Sequence, residues 1–412
     1  MLDQQDTTQD DLRGGCAPWR KGGRPPSRIL EDDRRCEVLV VGAGITGAMV
    51  AEHLTSLGHE VCLVDRERPG FGSTAASTAM LQWEIDRSLT ELTTLYGFER
   101  AANIYRQSLH AVTGLKELIE TQHLPCEFRP RRSLYLASGA GTGAAELRAE
   151  HELRERAGLP GFYLDHPTLL REFGIAREAA ILSPGSAEAD PMCLAHTLLV
   201  TAIRHGAVVY DGEATRFEAI GGGGLAVGLA YGQTIEAQRV ILATGYVMPD
   251  FVVTDMHRPS SSWAIATPPQ KPQVLWPGRP LIWEATTPYF YARTTTDDRI
   301  IIGGEDDPAL VEPAARDAAM PEKSERILRQ LKTLCPEAEL RADYCWSGAF
   351  SETSDGLPLI GRVRGYPHLY AAYGYGGNGI TFSFLAARMI ARMIAGEDEP
   401  WYTDLAVDRP KP

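Results

Sequence analysis

The sequence predicts an α/β fold in which a domain built on a largely parallel sheet is interrupted twice by a second, α+β domain with an antiparallel sheet. Three observations predict it. The apolar run Val38-Leu39-Val40-Val41 leads through Gly42-Ala43-Gly44-Ile45-Thr46-Gly47 into apolar residues at helical spacing, and Val61-Cys62-Leu63-Val64-Asp65 resumes as a strand. That is one βαβ unit. Helix and strand patterns recur at residues 194–210, with a further buried strand at 239–245 and an apolar helix at 380–394. The material between them differs: residues 89–160 are mostly helical in pattern, and two strand-like stretches at 289–294 and 299–303 flank the turn Thr296-Asp297-Asp298.

Bulk properties narrow the function classes. A chain of 412 residues with 44% hydrophobic and 23% charged residues has room for two or three domains around substantial cores. Its formal net charge of -13 argues against a nucleic acid or an anionic membrane surface and for a small-molecule ligand. The seven cysteines are scattered without a C-x-x-C pair, which suggests neither a disulfide framework nor a zinc site, and no metal is expected. No transmembrane segment or secretory signal is evident, so the expected location is the cytoplasm.

Taken in order, residues 1–36 are polar and rich in Gly, Pro, Arg and Asp, and read as a flexible N-terminal arm. Residues 37–88, 190–262 and 336–396 are expected to form the discontinuous cofactor domain. Residues 89–189 and 263–335 form the substrate domain, and 397–412 a C-terminal tail. In the βαβ unit, Gly42 permits the tight turn after the strand, Gly44 lets the backbone approach a pyrophosphate, and Gly47 lets the helix pack close to the strand. The helix starting near Ile45 and Thr46 directs free N–H groups and its positive end at the phosphates. Asp65, 18 residues beyond Gly47, can accept the ribose hydroxyls, with Arg66 beside it. An acid there disfavours a 2′-phosphate and hence NADP. NAD and FAD share this unit, so the rest of the chain must discriminate.

The segment around Gly72, Ser73, Thr74, Thr78, Ala79 and Met80 is small and polar, able to wrap more pyrophosphate and a flavin. Together with Ala243-Thr244-Gly245, Trp346-Ser347-Gly348, Thr353-Ser354-Asp355-Gly356-Leu357-Pro358-Leu359-Ile360-Gly361 and Gly376-Gly377-Asn378-Gly379-Ile380, it resembles FAD enzymes of the D-amino-acid oxidase and glycine oxidase superfamily. The resemblance runs from about residue 36 onward. It implies a Rossmann-like, glutathione-reductase-type FAD domain, and it places Gly376, Gly377, Asn378, Gly379, Ile380 and Thr381 at the flavin pyrimidine edge. Thr244 and Gly245 line the cofactor in the same reading, and Thr215 reaches the adenine through its backbone, where the family more often has valine. The flavin is expected to be non-covalent: Ala76 stands where some relatives attach it to histidine, and Cys345 precedes Trp346, too early to match a C-terminal attachment site.

The activity implied is oxidation of a carbon–nitrogen bond of a small-molecule amine or amino acid by hydride transfer to flavin, followed by imine hydrolysis, with oxygen or another electron acceptor. Tyr289, Tyr291 and Arg293 alternate on a strand and so project from one face, and Gln82 follows the flavin loop; these four are the candidate catalytic residues. Tyr289 and Arg293 match a Y-x-x-x-R strand beside the substrate pocket of relatives. Phe350 stands where many relatives clamp the substrate carboxylate with arginine, which a phenyl ring cannot imitate. Either Arg293 substitutes for that clamp or the substrate lacks the carboxylate. Two other readings remain open at this stage, an NAD-dependent dehydrogenase and a flavoprotein with a structural or non-amine redox role.

Overall fold

A computed structural model describes residues 11–19, 23–138, 143–252, 254–284 and 289–412. Two mixed sheets organise them. In the first, the strands Arg28–Ile29, Val208–Asp211, Val61–Asp65, Arg34–Val41, Thr234–Leu242 and Tyr366–Tyr373 run parallel in that order. Antiparallel strands Leu225–Leu229 and Ala214–Ala219 extend from Thr234–Leu242, and Leu359–Val363 pairs with Tyr366–Tyr373.

Alternation along these strands explains why both faces are covered. Val38, Val40 and Leu63 join one core with the helices Ile45–Ser56, Pro191–Arg204 and Gly379–Ala395, while Leu39, Val41, Cys62 and Val64 join a second core on the other face. A sheet buried on both sides needs continuous apolar strands, and that is what residues 38–41 and 61–64 supply. Two helix starts are fixed by their own sequence. Asp190 accepts the backbone N–H groups of Met192 and Cys193 ahead of Pro191–Arg204, and Ser88 and Glu91 form a capping box before Leu89–Tyr96.

The second sheet has the order Arg13–Gly15, Tyr344–Thr353, His257–Ala266, Ile300–Asp307, Phe290–Thr294, Leu281–Glu284, Arg129–Leu136, Ala179–Glu188 and Met80–Leu81, with Phe162–Asp165 also on Ala179–Glu188. Its pairings are antiparallel except for that of Leu281–Glu284 with Arg129–Leu136. The expected hairpin at 296–298 is present, joining Phe290–Thr294 to Ile300–Asp307.

Three expectations give way. The arm at 1–36 is not loose over its described part: Arg13–Gly15 pairs with Trp346 to Gly348, Leu12, Ala17 and Trp19 are buried, and Arg28–Ile29 edges the first sheet. Isolated apolar residues between glycines and prolines leave no periodicity to read, although each finds a pocket. The domain boundary at 262/263 falls inside the His257–Ala266 strand, and Tyr344–Thr353 belongs to the second sheet although it lies in the segment assigned to the cofactor domain. Strands can change partner sheet without a turn in the sequence. Residues 73–76, expected as loop, form a single helical turn, Ser73–Ala76.

Candidate active site

A cavity of about 920 Å³ runs from the glycine turn to the second sheet. At one end, Gly42 has φ +108°, and a Cβ there would lie 2.3 Å from the Ala243 carbonyl oxygen, so only glycine makes this turn. Gly47 does not line the cavity. It backs the turn, since its Cβ would lie 1.9 Å from the Gly42 carbonyl oxygen, and so serves the close helix–strand approach expected of it. Gly44 precedes the Ile45–Ser56 helix, which has no side-chain cap of its own residue at that end. Thr74 supplies one: its Oγ1 accepts the Ile45 N–H at 2.9 Å. Thr46 turns back into the protein and meets Ser383 Oγ at 2.7 Å, tying this helix to Gly379–Ala395.

Asp65 closes its strand at the same end. Its Oδ2 accepts Ala43 N–H at 2.5 Å and its Oδ1 accepts Glu67 N–H at 2.9 Å. Burial pushes its carboxyl up to about 6, partly offset by those two N–H groups. Arg66 pairs with Asp11 at 2.5 Å. Thr215 lines the wall, and its hydroxyl donates to Gly228 O at 3.3 Å.

The middle of the cavity is lined by Gly72, Ser73, Thr74, Thr78, Ala79, Met80, Thr244 and Gly245. Ser73 Oγ is buried without a hydrogen-bond partner. Ala79, which lines the cavity, has φ +51°, a left-handed conformation that costs an L-residue about 1–2 kcal/mol. Gly376, Gly377, Gly379 and Ile380 line the far wall. Asn378 and Thr381 do not: Asn378 Nδ2 donates to Gln82 O and Glu84 O, and Thr381 Oγ1 to Gln82 O. They fix the backbone of the segment that carries Gln82. The Gln82 side chain faces the cavity, is 9% exposed, and leaves Nε2 without a partner.

The second sheet supplies the remaining wall. Tyr289 and Tyr291 line it with their rings 5.7 Å apart, and Tyr246 and Phe350 face each other at 6.2 Å. Burial, reinforced by neighbouring carboxylates, holds Tyr246, Tyr289 and Tyr291 protonated at any ordinary pH. Arg293 departs from expectation. It shares the strand face of the tyrosines but sits beyond the cavity, 3% exposed, donating to Ala189 O at 3.1 Å, 3.6 Å from Glu188 and stacked 5.2 Å over the Trp19 ring. Strand alternation fixes only the face. Position along the strand carries Arg293 past the end of the pocket into the Glu188 and Asp190 region.

Three carboxylates that the sequence reading did not single out complete this wall: Asp86, Asp306 and Glu352. A signal for one of them was present, because Glu352 lies two residues beyond Phe350 on one strand and so shares its face. Asp86 Oδ2 accepts Gly377 N–H at 2.6 Å. Burial pushes Asp306 up to about 6, opposed by the Ser262 hydroxyl and reinforced by Asp86 and Glu352; burial likewise pushes Asp86 up to about 6. A carboxyl whose folded pKa exceeds its unfolded value adds stability that is fully present below about 4 and is lost as pH rises through about 6. Asp306→Asn is therefore expected to raise the melting temperature of the substrate-free holoprotein at pH 7.5, by on the order of 1–3 kcal/mol in stability, and to change it far less at pH 4.5. Thermal scans at the two pH values check this, and a loss of stability at pH 7.5 contradicts it.

These observations fit a dinucleotide. The turn leaves no room for a Cβ at Gly42, the helix N-terminus points at the cavity, and Ser73 Oγ waits buried and unpartnered. They do not by themselves separate NAD from FAD. The model of FAD-dependent oxidoreductases matches residues 37–393. The chain belongs to that family of FAD-dependent oxidoreductases. Family membership makes FAD the cofactor and removes the NAD-dependent alternative. Among relatives, the gamma-glutamylputrescine oxidoreductase of Escherichia coli is 28% identical over 91% of this chain and 87% of that protein, and the probable oxidoreductase OrdL of Haemophilus influenzae 24% identical over 91% and 86%. The fold is shared with the glycine oxidase of Geobacillus kaustophilus, with a TM-score of 0.77 at 21% identity over 92% of this chain and all of that one. It is shared also with iminodiacetate oxidase of Chelativorans sp. BNC1, at a TM-score of 0.70 and 21% identity over 88% and 96%. Among the described residues no helix is long and apolar enough to cross a membrane, and no three His, Cys, Asp or Glu side chains are placed to hold a metal ion.

Proposed function

We propose that this protein oxidises the carbon–nitrogen bond of an amine that bears no carboxylate on the reacting carbon. The observation that carries this reading is that, among the described residues, no basic side chain lines the substrate end of the cavity: Phe350 stands on the strand where an arginine would be needed, and Arg293 is committed to Glu188 and Ala189. A carboxylate placed there would meet Asp86, Asp306 and Glu352 with no counter-charge, a strong element of discrimination against amino acids. The name of the Escherichia coli relative, an oxidoreductase of gamma-glutamylputrescine, supports an amine substrate.

FAD, held non-covalently, supplies the two-electron acceptor: the substrate loses a hydride from carbon and a proton from nitrogen, and water converts the resulting imine to a carbonyl compound and an amine. The chain's own residues do the rest. The Gly42 turn, Thr74 and the start of the Ile45–Ser56 helix hold the pyrophosphate; Asp65 and the Thr215 backbone take the adenosine half. Gly376, Gly377 and Ile380, with the helix behind them, border the flavin ring. Tyr246, Tyr289, Tyr291 and Phe350 form an apolar wall that keeps the amine against the ring and water away from it. Gln82, with an unpaired amide group facing the cavity, positions the amine.

The test is a panel of primary, secondary and N-methylated amines, with and without an α-carboxylate, mixed anaerobically with the purified yellow protein. Amines without the carboxylate are expected to bleach the flavin at least tenfold faster than the matching amino acids. Faster bleaching by the amino acids overturns the reading, as does a colourless protein that cannot be reconstituted with FAD.

A further inference from the structure

The charge lining the cavity is lopsided. Six carboxylates (Asp65, Asp86, Glu213, Asp250, Asp306 and Glu352) face it, against two guanidinium groups, Arg66 and Arg216. Both arginines sit with the adenosine-end residues Asp65 and Thr215, and both are paired, Arg66 with Asp11 and Arg216 with Glu218 at 3.2 Å. Among the described residues no cation lines the substrate end. Asp86, Asp306 and Glu352 converge there from three separate segments: the loop after Met80–Leu81, the strand Ile300–Asp307 and the strand Tyr344–Thr353. None of the three forms a salt bridge among the described residues. Lys323, the nearest ammonium group to influence Asp306, is held by Glu305 O at 2.9 Å and Asp307 at 3.2 Å and does not line the cavity.

Asp86 and Asp306 are part-buried and Glu352 is exposed, and carboxylates gathered this closely repel one another unless a counter-charge sits among them. Two further observations point to a ligand as that partner. Asp306 Oδ1 is closed to solvent yet accepts no hydrogen bond, and the Gln82 side chain, buried on the same cavity, leaves its Nε2 unpartnered, a donor suited to the lone pair of a neutral reacting amine rather than to the distal cation. The three acids are not placed to hold a metal ion, and Tyr246, Tyr289, Tyr291 and Phe350 between them suit an alkyl chain. The chemistry called for is an organic cation with an apolar spacer.

We infer that the substrate carries a second positive charge, a diamine or longer polyamine whose distal ammonium group is held by Asp306 and Glu352 while the reacting amine lies against the flavin. This rests on the amine reading and deepens it. Asp86 contributes to the field but also holds the Gly377 N–H beside the cofactor, so Asp306 and Glu352 are the residues to vary. The two acids carry the distal charge, and the tyrosine wall carries the spacer between it and the flavin.

The experiment measures binding apart from turnover. Holoprotein is photoreduced, so that no hydride can be accepted, and titrated calorimetrically at pH 7.5 with 1,4-diaminobutane, butylamine and 4-aminobutanoate. The diamine is expected to bind at least tenfold more tightly than butylamine, and 4-aminobutanoate more weakly than either. Asp306→Asn and Glu352→Gln, made separately with full flavin content, are each expected to cut the diamine-to-butylamine ratio by fivefold or more. Raising salt from 50 to 500 mM should lower the diamine's affinity more than that of butylamine. A ratio near one in the unaltered protein, or one that neither variant changes, overturns the inference. Should no amine bleach the oxidised flavin, the amine reading falls, yet the binding order still decides whether this wall selects a dication.

Discussion

Gly44→Val is expected to yield a folded protein that has lost its yellow colour. Gly44 stands between the strand and the helix, and a Cβ at this position would come within 3.1 Å of Thr74 Oγ1. A single carbon could be accommodated by a small shift, but the two valine methyl groups add bulk at a position that lines the cavity beside the helix start. That is where the cofactor's phosphates must approach the backbone. The affinity for FAD should fall at least a hundredfold, about 3 kcal/mol. Melting should match that of the flavin-free unaltered protein rather than the holoprotein, because a ligand that binds only the folded state adds its own stabilisation. Gly47→Val makes the instructive contrast. Its Cβ would sit 1.9 Å from the Gly42 carbonyl oxygen, a backbone atom that cannot give way, so this variant should lose the fold of the turn along with the flavin. Flavin content by absorbance, set beside far-ultraviolet circular dichroism, separates the two outcomes; full flavin in Gly44→Val would falsify the assignment of the turn.

The contrast between those glycines shows what a sequence can convey about such a fold. Residues 38–65 were legible because every requirement is local: a both-faces-buried strand, a turn that excludes Cβ, a helix with a free N-terminus and an acid at the next strand end. The C-terminal run 374–380 was legible by resemblance, and its backbone does border the cavity at Gly376, Gly377, Gly379 and Ile380. Contacts between distant segments were not. Arg13–Gly15 lies against Tyr344–Thr353 across more than three hundred residues, and nothing in a polar, glycine-rich stretch announces a strand partner so remote. The same holds for Asp86, Asp306 and Glu352, three ordinary surface-type residues in sequence that become a wall only when two strands and a loop meet. Arg293 illustrates the converse. Its spacing from Tyr289 places it on the correct face, but the register of Phe290–Thr294 against Ile300–Asp307 carries it beyond the pocket, and Glu188 and Asp190 claim its charge.

The site is therefore assembled at a junction. The parallel sheet presents the cofactor's phosphate and adenosine ends through local turns, whereas the antiparallel sheet brings the substrate wall from strands far apart in the chain. Tyr344–Thr353 joins the two halves, since Gly348, Ala349, Phe350 and Glu352 all line the cavity and the chain then enters the 354–358 turn leading to Leu359–Val363 of the first sheet. What fixes that turn fixes the relation of substrate wall to flavin.

Arg409→Ala is expected to be the most destabilising single change outside the cavity, because it unseats that turn. Asp355 is fully buried and accepts hydrogen bonds from Tyr96 Oη at 2.6 Å, Thr353 Oγ1 at 2.7 Å, Leu357 N–H at 3.0 Å and the Arg409 guanidinium at 2.8 and 2.9 Å. Arg409 also donates to Leu357 O and Pro358 O, both at 2.7 Å, so the C-terminal segment is clamped to the turn rather than trailing as a tail. Removing the guanidinium leaves a buried carboxylate without its counter-charge and takes a donor from Pro358 O and from Leu357 O, the latter keeping only the Thr353 hydroxyl, a loss of about 3–5 kcal/mol. Arg409→Lys should recover part of this, since an ammonium group restores the charge but not the bidentate fork. Asp355→Asn combined with Arg409→Ala should cost less than the two single changes added together, because the orphaned charge is gone. The pH dependence carries the same signature. Burial alone would raise the Asp355 carboxyl, but the Arg409 hydrogen bonds and charge, with Tyr96 and Thr353, hold it below the usual carboxylate range. A depressed pKa contributes stability that is present above the unfolded value of about 4 and is lost as pH falls through the lower folded value. In Arg409→Ala the carboxyl instead rises and takes up a proton, so its deficit relative to the unaltered protein should be largest near pH 7 and narrow toward pH 4. Urea unfolding at both pH values, followed by circular dichroism and flavin fluorescence together, reads out the effect; a deficit under 1 kcal/mol at pH 7, or one that widens on acidification, rules out the clamp.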